Sequence, residues 1–181
     1  ISVVFLSVLV TGISLLFPSK VIASRAIEVN TSADKIAYFT SDLSHWNQWM
    51  SDWKQNKVVL KNNTAYIGTQ TVRFLDKTVT KVNYEWIATG QRPYLVTFEW
   101  TLLKDSTYVI HWSFEQNVKW YPWEKFQTLL NDKLLGAKME IELQHLQEAI
   151  NSKTNNEKKL RLPFIIIYCC CLFFYGSFLF K

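Results

Sequence analysis

The sequence predicts an α+β fold, in which an antiparallel sheet is combined with one long helix near the C-terminus. Between residues 57 and 116, five segments of alternating apolar and polar residues are separated by two to five polar residues, which is the spacing of β-hairpins. Residues 121–153 then carry apolar side chains at every third or fourth position, as an amphipathic helix does. With 49% hydrophobic and 15% aromatic residues among 181, the chain can bury the core of an ordinary domain.

Both ends of the chain are apolar. Residues 1–17 carry no charge, and a helix of about 17 residues is the shortest that spans a bilayer. The segment 1–18 therefore predicts a transmembrane helix or signal anchor. A cleaved signal peptide is the alternative, although its apolar core usually has only about 7–15 residues. Residues 153–162 form a basic polar linker, and the apolar tail at 163–181 predicts a possible second membrane helix.

The charges and the cysteines limit which partners the protein can have. The net charge is +5, and basic residues follow the first apolar run and precede the second, which favours a cytoplasmic domain beside anionic lipid. We therefore expect a membrane location, with one or two spans and the oligomeric state open. The charges are scattered and no basic-aromatic motif is present, which argues against a nucleic acid partner. All three cysteines lie in the tail, and no cofactor or metal is predicted.

The segment 20–152 predicts a single domain whose elements follow in order. Residues 20–30 alternate and are β-branched enough for a first strand. Ser32 can cap a short helix, and Asp42 can cap a second one that carries Trp46 and Trp49. Further strands are predicted at 57–61, 65–75, 78–88, 94–103 and 107–116.

The long helix predicted at 121–153 has one apolar stripe, since Pro122 suits its first position and apolar residues then recur along one side. The stripe consists of Trp123, Phe126, Leu130, Leu134, Ala137 and Ile141. Gly136 lies in the middle of this helix, where it costs about 1 kcal/mol relative to alanine. It therefore indicates close approach of another group to the helix backbone, or tight contact with the sheet.

This element order, with these residues, resembles the START/Bet v 1-like superfamily. Within it, the chain is similar to polyketide cyclase/dehydrase-like (SRPBCC) proteins. The resemblance lies in "SRAIEVNTSADKIAYFTSDLSHWNQWMSDW" at 24–53, "STYVIHWSF" at 106–114 and "LLGAKMEIELQHLQEAI" at 134–150. Residues 15–29, "LLFPSKVIASRAIEV", resemble bacterial members with one N-terminal membrane helix, which implies a bacterial cell membrane. The tail at 163–181 has no counterpart in the family pattern.

The resemblance implies a helix-grip fold, in which a curved antiparallel sheet wraps around the long helix and leaves a cavity between them. Members of the superfamily mostly bind hydrophobic small molecules, and some catalyse cyclisation or dehydration. The resemblance therefore implies a membrane-anchored module that binds a hydrophobic small molecule or lipid. Fold alone does not decide between binding and catalysis.

The strand alternation independently predicts which side chains face this cavity. Successive side chains of a strand point to opposite faces, and in every strand one face is apolar and aromatic while the ionisable residues lie on the other. The predicted cavity-lining residues are Trp46, Trp49, Val72, Phe74, Tyr84, Trp86, Phe98, Trp100, Ile110, Trp112, Phe114, Trp123, Phe126, Leu130 and Leu134. The alternatives are that these aromatics form a filled core without a ligand, or that the tryptophans dip into a membrane.

Catalysis requires a titratable group inside a pocket, and the sequence offers few candidates. Asp42 and His45 are the strongest, but Asp42 is also a helix cap and His45 a surface residue. His145 lies among polar neighbours on the long helix, where we expect it to be solvated. A cyclase- or dehydratase-like enzyme and a non-catalytic interaction or stress-response module thus stay open as alternatives. Acidic or histidine side chains lining the cavity, or the absence of any cavity, would end the carrier interpretation.

Overall fold

The computed structural model describes residues 2–15, 20–117 and 133–153. Its elements follow the predicted order, apart from one further short helix and a division of the strand predicted at 65–75. The helices are α1 (Ser2–Leu15), α2 (Ala33–Ser41), a 3₁₀ helix (Leu43–Gln48), α3 (Ser51–Gln55) and α4 (133–153). The strands are β1 (Lys20–Asn30), β2 (Val58–Lys61), β3 (Thr64–Ile67), β4 (Gln70–Lys77), β5 (Lys81–Ala88), β6 (Tyr94–Lys104) and β7 (Thr107–Asn117).

The seven strands form one antiparallel sheet in the order β1-β7-β6-β5-β4-β3-β2. Strands β2 to β7 are successive hairpins, as the short polar gaps predict. The first strand instead pairs with the last, in a register that runs from Lys20 opposite Asn117 to Asn30 opposite Thr107. This pairing places the start of the domain beside the strand that precedes α4. The predicted combination of an antiparallel sheet with a C-terminal helix is confirmed.

The prediction of one strand over residues 65–75 is wrong, because the chain turns within it. Gly68 has a φ of +56°, a left-handed conformation that glycine adopts without steric cost. Strand β3 ends just before this glycine and β4 begins two residues after it, with Ile67 paired to Gln70. The neighbouring turn at Asn62-Asn63 has φ values of 48° and 59°, and it joins β2 to β3 as this dipeptide predicts.

The inward faces of the strands agree with the alternation of the sequence. The buried side chains on the strands include Val72, Val82, Tyr84, Trp86, Val96, Phe98, Trp100, Ile110, Trp112 and Phe114. Leu102 departs from the pattern, because it lies next to a register shift near the end of β6 and is 53% exposed. Burial of these apolar faces supplies the main driving force for folding.

The predicted apolar stripe of the C-terminal helix is wrong in the half that the structure describes. Leu134, Ala137 and Ile141 are exposed, with Leu134 at 75%. The face that packs onto the domain instead carries Met139, Leu143, Leu146 and Ile150, all at most 2% exposed. The predicted positions Trp123, Phe126 and Leu130 lie outside the described residues.

Gly136 lies where the helix meets the sheet edge, as its position in the sequence indicates. A Cβ atom built on Gly136 would lie 2.6 Å from Cζ of Arg25. The guanidinium of Arg25, a β1 residue, crosses the helix at this point and binds Oε1 of Glu140 through Nε at 2.7 Å. The predicted close approach is confirmed, and the approaching group is a side chain of the sheet.

At the N-terminal end of the chain, Ser2–Leu15 form the helix α1. Within residues 2–15, 20–117 and 133–153, no helix has both the length and the apolar character needed to cross a bilayer. Residues 154–162 of the linker and the tail at 163–181 lie outside the described residues, so the predicted spans stay predictions.

Candidate ligand-binding cavity

The tryptophans that follow α2 close its carboxyl end. The last carbonyls of an α-helix have no partner within the helix, and here side chains supply the missing donors. The Nε1–H of Trp49 donates to Phe39 O at 3.1 Å. Thr40 O accepts from Nε1–H of Trp46 at 3.3 Å and from the Tyr84 hydroxyl at 2.6 Å. These two tryptophans thus combine a buried apolar ring with a satisfied N–H, which is what burial of tryptophan requires.

The interior beneath α2 and the 3₁₀ helix is a packed aromatic core. Trp46 is fully buried, and its ring lies 5.0 Å from that of Trp53 and 4.9 Å from that of Tyr84, centroid to centroid. Six further predicted lining residues share this core: Trp49, Val72, Tyr84, Phe98, Trp100 and Ile110. At this end of the domain the aromatic side chains fill the interior, as the alternative of a core without a ligand predicts.

A cavity of about 330 Å³ lies farther along the sheet, between its inner face and α4. Its walls are the residues Met50, Asp52, Gln70, Trp86, Ala88, Gln91, Tyr94, Trp112, Phe114, Leu134, Leu135, Lys138, Met139 and Glu142. Four of them are predicted lining residues, namely Trp86, Trp112, Phe114 and the largely exposed Leu134. The volume falls in the range of about 300–1,000 Å³ that is typical of small-molecule sites.

Glu142 gives the cavity an acidic wall that sequence analysis missed. The prediction that ionisable side chains point outward concerned the strands alone, whereas Glu142 lies on the helix α4. Glu142 is 2% exposed, and its Oε2 accepts the backbone N–H of Ser51 at 2.9 Å. The carboxylate therefore joins α4 to the first residue of α3, and it does so inside the cavity wall.

His145 is half-buried beside this carboxylate, rather than solvated as the sequence predicts. Its Nδ1 lies 3.4 Å from Oγ of Ser51 and 3.4 Å from Oε2 of Glu142. A serine-histidine-carboxylate triad needs one ring nitrogen for the serine and the other for the carboxylate. Both contacts here use the same nitrogen, so these three residues are not arranged as a nucleophilic triad.

Two indoles in the aromatic wall differ in their polar contacts. Trp86 donates from Nε1 to Oε1 of Gln70 at 2.9 Å. Trp112 is 2% exposed, yet its Nε1 has no hydrogen-bond partner among the described residues. An unpaired buried donor is costly, and because this nitrogen has almost no accessible surface, a molecule in the cavity does not reach it.

The two catalytic candidates from the sequence lie elsewhere, in an open groove of about 700 Å³ between α2 and the β2–β4 strands. Asp42 accepts from Ser44 N at 2.8 Å as the cap of the 3₁₀ helix, and this hydrogen bond lowers its pKa. His45 stacks on Tyr38 with ring centroids 3.7 Å apart and donates through Nδ1 to Tyr38 O. Phe74, a predicted lining residue, faces this groove as well. Both polar candidates are thus accounted for by local structure.

Comparison with solved structures identifies the fold. A START superfamily protein from Mycobacterium smegmatis superimposes with a TM-score of 0.56 at 15% identity, over 72% of this chain and 97% of the other. The chain has the helix-grip fold of the START superfamily. CalU16 from Micromonospora echinospora gives 0.52 at 13% identity, over 78% and 91% of the two chains.

A solved structure with two domains also has this fold. The di-domain ARO/CYC protein StfQ from the steffimycin biosynthetic pathway gives a TM-score of 0.56 at 10% identity, and the alignment covers 75% of this chain and 52% of StfQ. No family model and no curated protein sequence matches the chain. At these identities the likeness concerns the fold, and the function has to be argued from the site.

Proposed function

We propose that this START-like domain binds a hydrophobic small molecule in the cavity between its sheet and α4. The observation that supports this most directly is the wall itself, in which Trp86, Trp112 and Phe114 face Met139 across about 330 Å³. Apolar surface of this kind binds apolar ligands because removing apolar surface from water lowers the free energy. The likeness to a START superfamily protein agrees with such a role.

The finer parts of this proposal concern the ligand and the membrane. A lipid or isoprenoid is the class that the apolar runs at both ends of the chain favour, since a membrane-anchored domain would meet its ligand in the bilayer. Asp52 and Glu142 line the cavity, which contradicts the expectation of a wall without acidic side chains and ends the interpretation of a purely apolar carrier. Because most of the wall is apolar and Glu142 is bonded to the Ser51 N–H, the proposed ligand is a largely apolar molecule with a polar group. The buried carboxylate requires the ligand or water to satisfy a polar group at one end of the cavity.

Filling the cavity tests this function. Ala88 lines the cavity from the end of β5, and Ala88→Trp would place an indole in it. We expect the affinity for the neutral apolar dye N-phenyl-1-naphthylamine to fall more than tenfold in the full-length chain, because the dye and the new side chain compete for one volume. Fluorescence titration measures the affinity, and mass spectrometry of an organic extract shows whether a co-purified apolar molecule disappears together with it.

Ile87→Trp is the matched control, because Ile87 is the preceding residue and therefore points to the opposite face of the sheet. Both variants carry the same apolar termini, so dye bound to those segments is equal in the two. The proposal is contradicted if Ala88→Trp and Ile87→Trp bind the dye equally well, or if the wild type binds none.

A second candidate function, general acid–base catalysis, is favoured by the buried position of Glu142. In a dehydration the Glu142 carboxylate would take a proton from the carbon next to a carbonyl. It would then return a proton to the departing hydroxyl, which leaves as water while the C=C bond forms. One carboxyl group can perform both transfers in succession.

A β-hydroxy aryl ketone is a suitable probe, since its dehydration produces a conjugated enone that is followed by ultraviolet absorbance. If this function is correct, the wild type accelerates enone formation and Glu142→Gln abolishes the acceleration, while Glu148→Gln on the exposed side of the same helix keeps it. Equal rates with and without the wild-type protein would exclude the dehydration.

A further inference from the structure

We propose that the cavity selects apolar ligands that carry a hydroxyl group, and that this group donates a hydrogen bond to Glu142. The inference rests on the proposed binding function and adds a polar requirement to it. It follows from the free hydrogen-bonding capacity that remains in the cavity wall.

The carboxylate of Glu142 has one oxygen engaged and one available. Its side chain is 3% exposed and lines the cavity. Both of its contacts, from Ser51 N at 2.9 Å and from Nδ1 of His145 at 3.4 Å, are made by Oε2. Among the described residues, no donor reaches Oε1. A ligand that offered a donor there would supply what the fold leaves out.

The nearest cation of the cavity wall does not take this role. Lys138, one helical turn before Glu142 on α4, binds Oδ2 of Asp52 at 2.5 Å. Its charge is therefore directed to α3, and Glu142 keeps its capacity to accept. A buried acceptor of this kind discriminates strongly, because a ligand without a donor leaves the acceptor unpaired.

A hydroxyl fits the cavity better than an ammonium group does. The rest of the wall is mostly apolar and includes Trp86, Phe114 and Met139. Burying an ammonium charge against such side chains costs more than burying a neutral hydroxyl. A hydroxyl supplies the one donor that Oε1 of Glu142 lacks.

The test compares 1-naphthol with 1-methylnaphthalene, which has nearly the same shape but no donor. Affinities of the full-length wild type, Glu142→Gln and Glu148→Gln are measured by calorimetry. Glu142→Gln keeps the size of the side chain, and its amide oxygen can still accept from Ser51 N while its NH₂ group faces the ligand. Glu148→Gln is the matched control, the same change at an exposed position of α4.

The measured quantity is the ratio of the two affinities, since the difference in hydrophobicity between the ligands cancels when the ratios of two proteins are compared. We expect the preference for 1-naphthol to be about 10- to 100-fold greater in the wild type than in Glu142→Gln, as for a hydrogen bond to a charged group. Glu148→Gln should keep the wild-type ratio.

The outcomes separate this inference from the function on which it rests. Equal ratios in the wild type and Glu142→Gln would overturn the hydroxyl preference and leave binding intact. Failure of the wild type to bind either compound would overturn both proposals. If Glu142→Gln does not fold, a crystal structure of the wild type with 1-naphthol decides, because the inference requires the naphthol oxygen within hydrogen-bond distance of the Glu142 carboxylate.

Discussion

Replacement of Trp46 by alanine should lower the free energy of unfolding by about 3–5 kcal/mol, the cost typical of removing a large aromatic side chain from a core. Trp46 is fully buried, and its ring packs against those of Trp49, Trp53, Tyr84, Trp86 and Phe98. Since a domain of this size has a total stability of about 5–15 kcal/mol, the variant should be marginally stable. Urea unfolding of the full-length chain, followed by far-ultraviolet circular dichroism, measures the change.

The phenylalanine variant separates packing from capping at the same position. Trp46→Phe keeps an aromatic ring but removes the N–H that donates to Thr40 O at 3.3 Å. That carbonyl still accepts from the Tyr84 hydroxyl, so we expect a smaller loss of about 1–3 kcal/mol. The order wild type, Trp46→Phe, Trp46→Ala should therefore describe decreasing stability.

Val79→Ala is the control, because Val79 is 87% exposed and its truncation should change the stability by no more than about 0.5 kcal/mol. A stability of Trp46→Ala within 1 kcal/mol of the wild type would show that the aromatic core is not packed as described.

The sheet could be predicted from the sequence because its signal is local. Alternation has a period of two, and a hairpin connects neighbouring strands, so each inward face follows from a few consecutive residues. The division between β3 and β4 was harder to predict, since Tyr66, Ile67, Thr69 and Thr71 are ordinary strand formers. The one local signal was Gly68, which takes a left-handed conformation.

The face of α4 could not be predicted in the same way, because apolar residues occur on two sides of this helix. Leu134 and Ile141 follow helical spacing as well as Met139 and Leu146 do, and the choice between the two stripes depends on where the sheet lies. Packing of Gly136 under Arg25 places the second stripe inward. Contact with the sheet thus determines which of the two apolar stripes of α4 is buried.

Glu142 was missed for a related reason, since a charged residue is normally assigned to solvent. A signal was nevertheless present in the sequence, because Glu142 lies three residues after Met139 and four before Leu146, on the stripe that is buried. A carboxylate on an apolar stripe indicates a buried polar contact. Its partner, the backbone N–H of Ser51, comes from another helix and could not be identified from sequence.

Above pH 10, the free energy of unfolding should fall by about 1.4 kcal/mol for each pH unit because of Tyr84. Burial raises the pKa of Tyr84 well above its ordinary value of 10.0, because the ionised phenol would be poorly solvated in the core. Below pH 10 both the folded and the unfolded chain keep the phenol proton. Above it the unfolded chain releases this proton and the folded chain does not, so the free energy of unfolding decreases as the pH rises.

The free energies of unfolding of Tyr84→Phe and the wild type, plotted against pH, should therefore cross. At neutral pH the variant loses the hydroxyl that donates to Thr40 O at 2.6 Å, which costs about 1 kcal/mol. Near pH 11 the wild type has lost a similar amount through Tyr84, and at higher pH the variant should be the more stable protein. Urea unfolding at a series of pH values between 7 and 12 measures both curves.

Trp46→Phe provides the control for this crossing, because it removes the other donor to Thr40 O without removing a titrating group. Its stability should lie below that of the wild type by the same amount at every pH. If the curve of Tyr84→Phe also stays parallel to that of the wild type up to pH 12, the phenol ionises as readily in the folded chain as in the unfolded one. Tyr84 would then not be enclosed between the sheet and the end of α2, because burial there is the main cause of its raised pKa and the charge of Asp42 a smaller one.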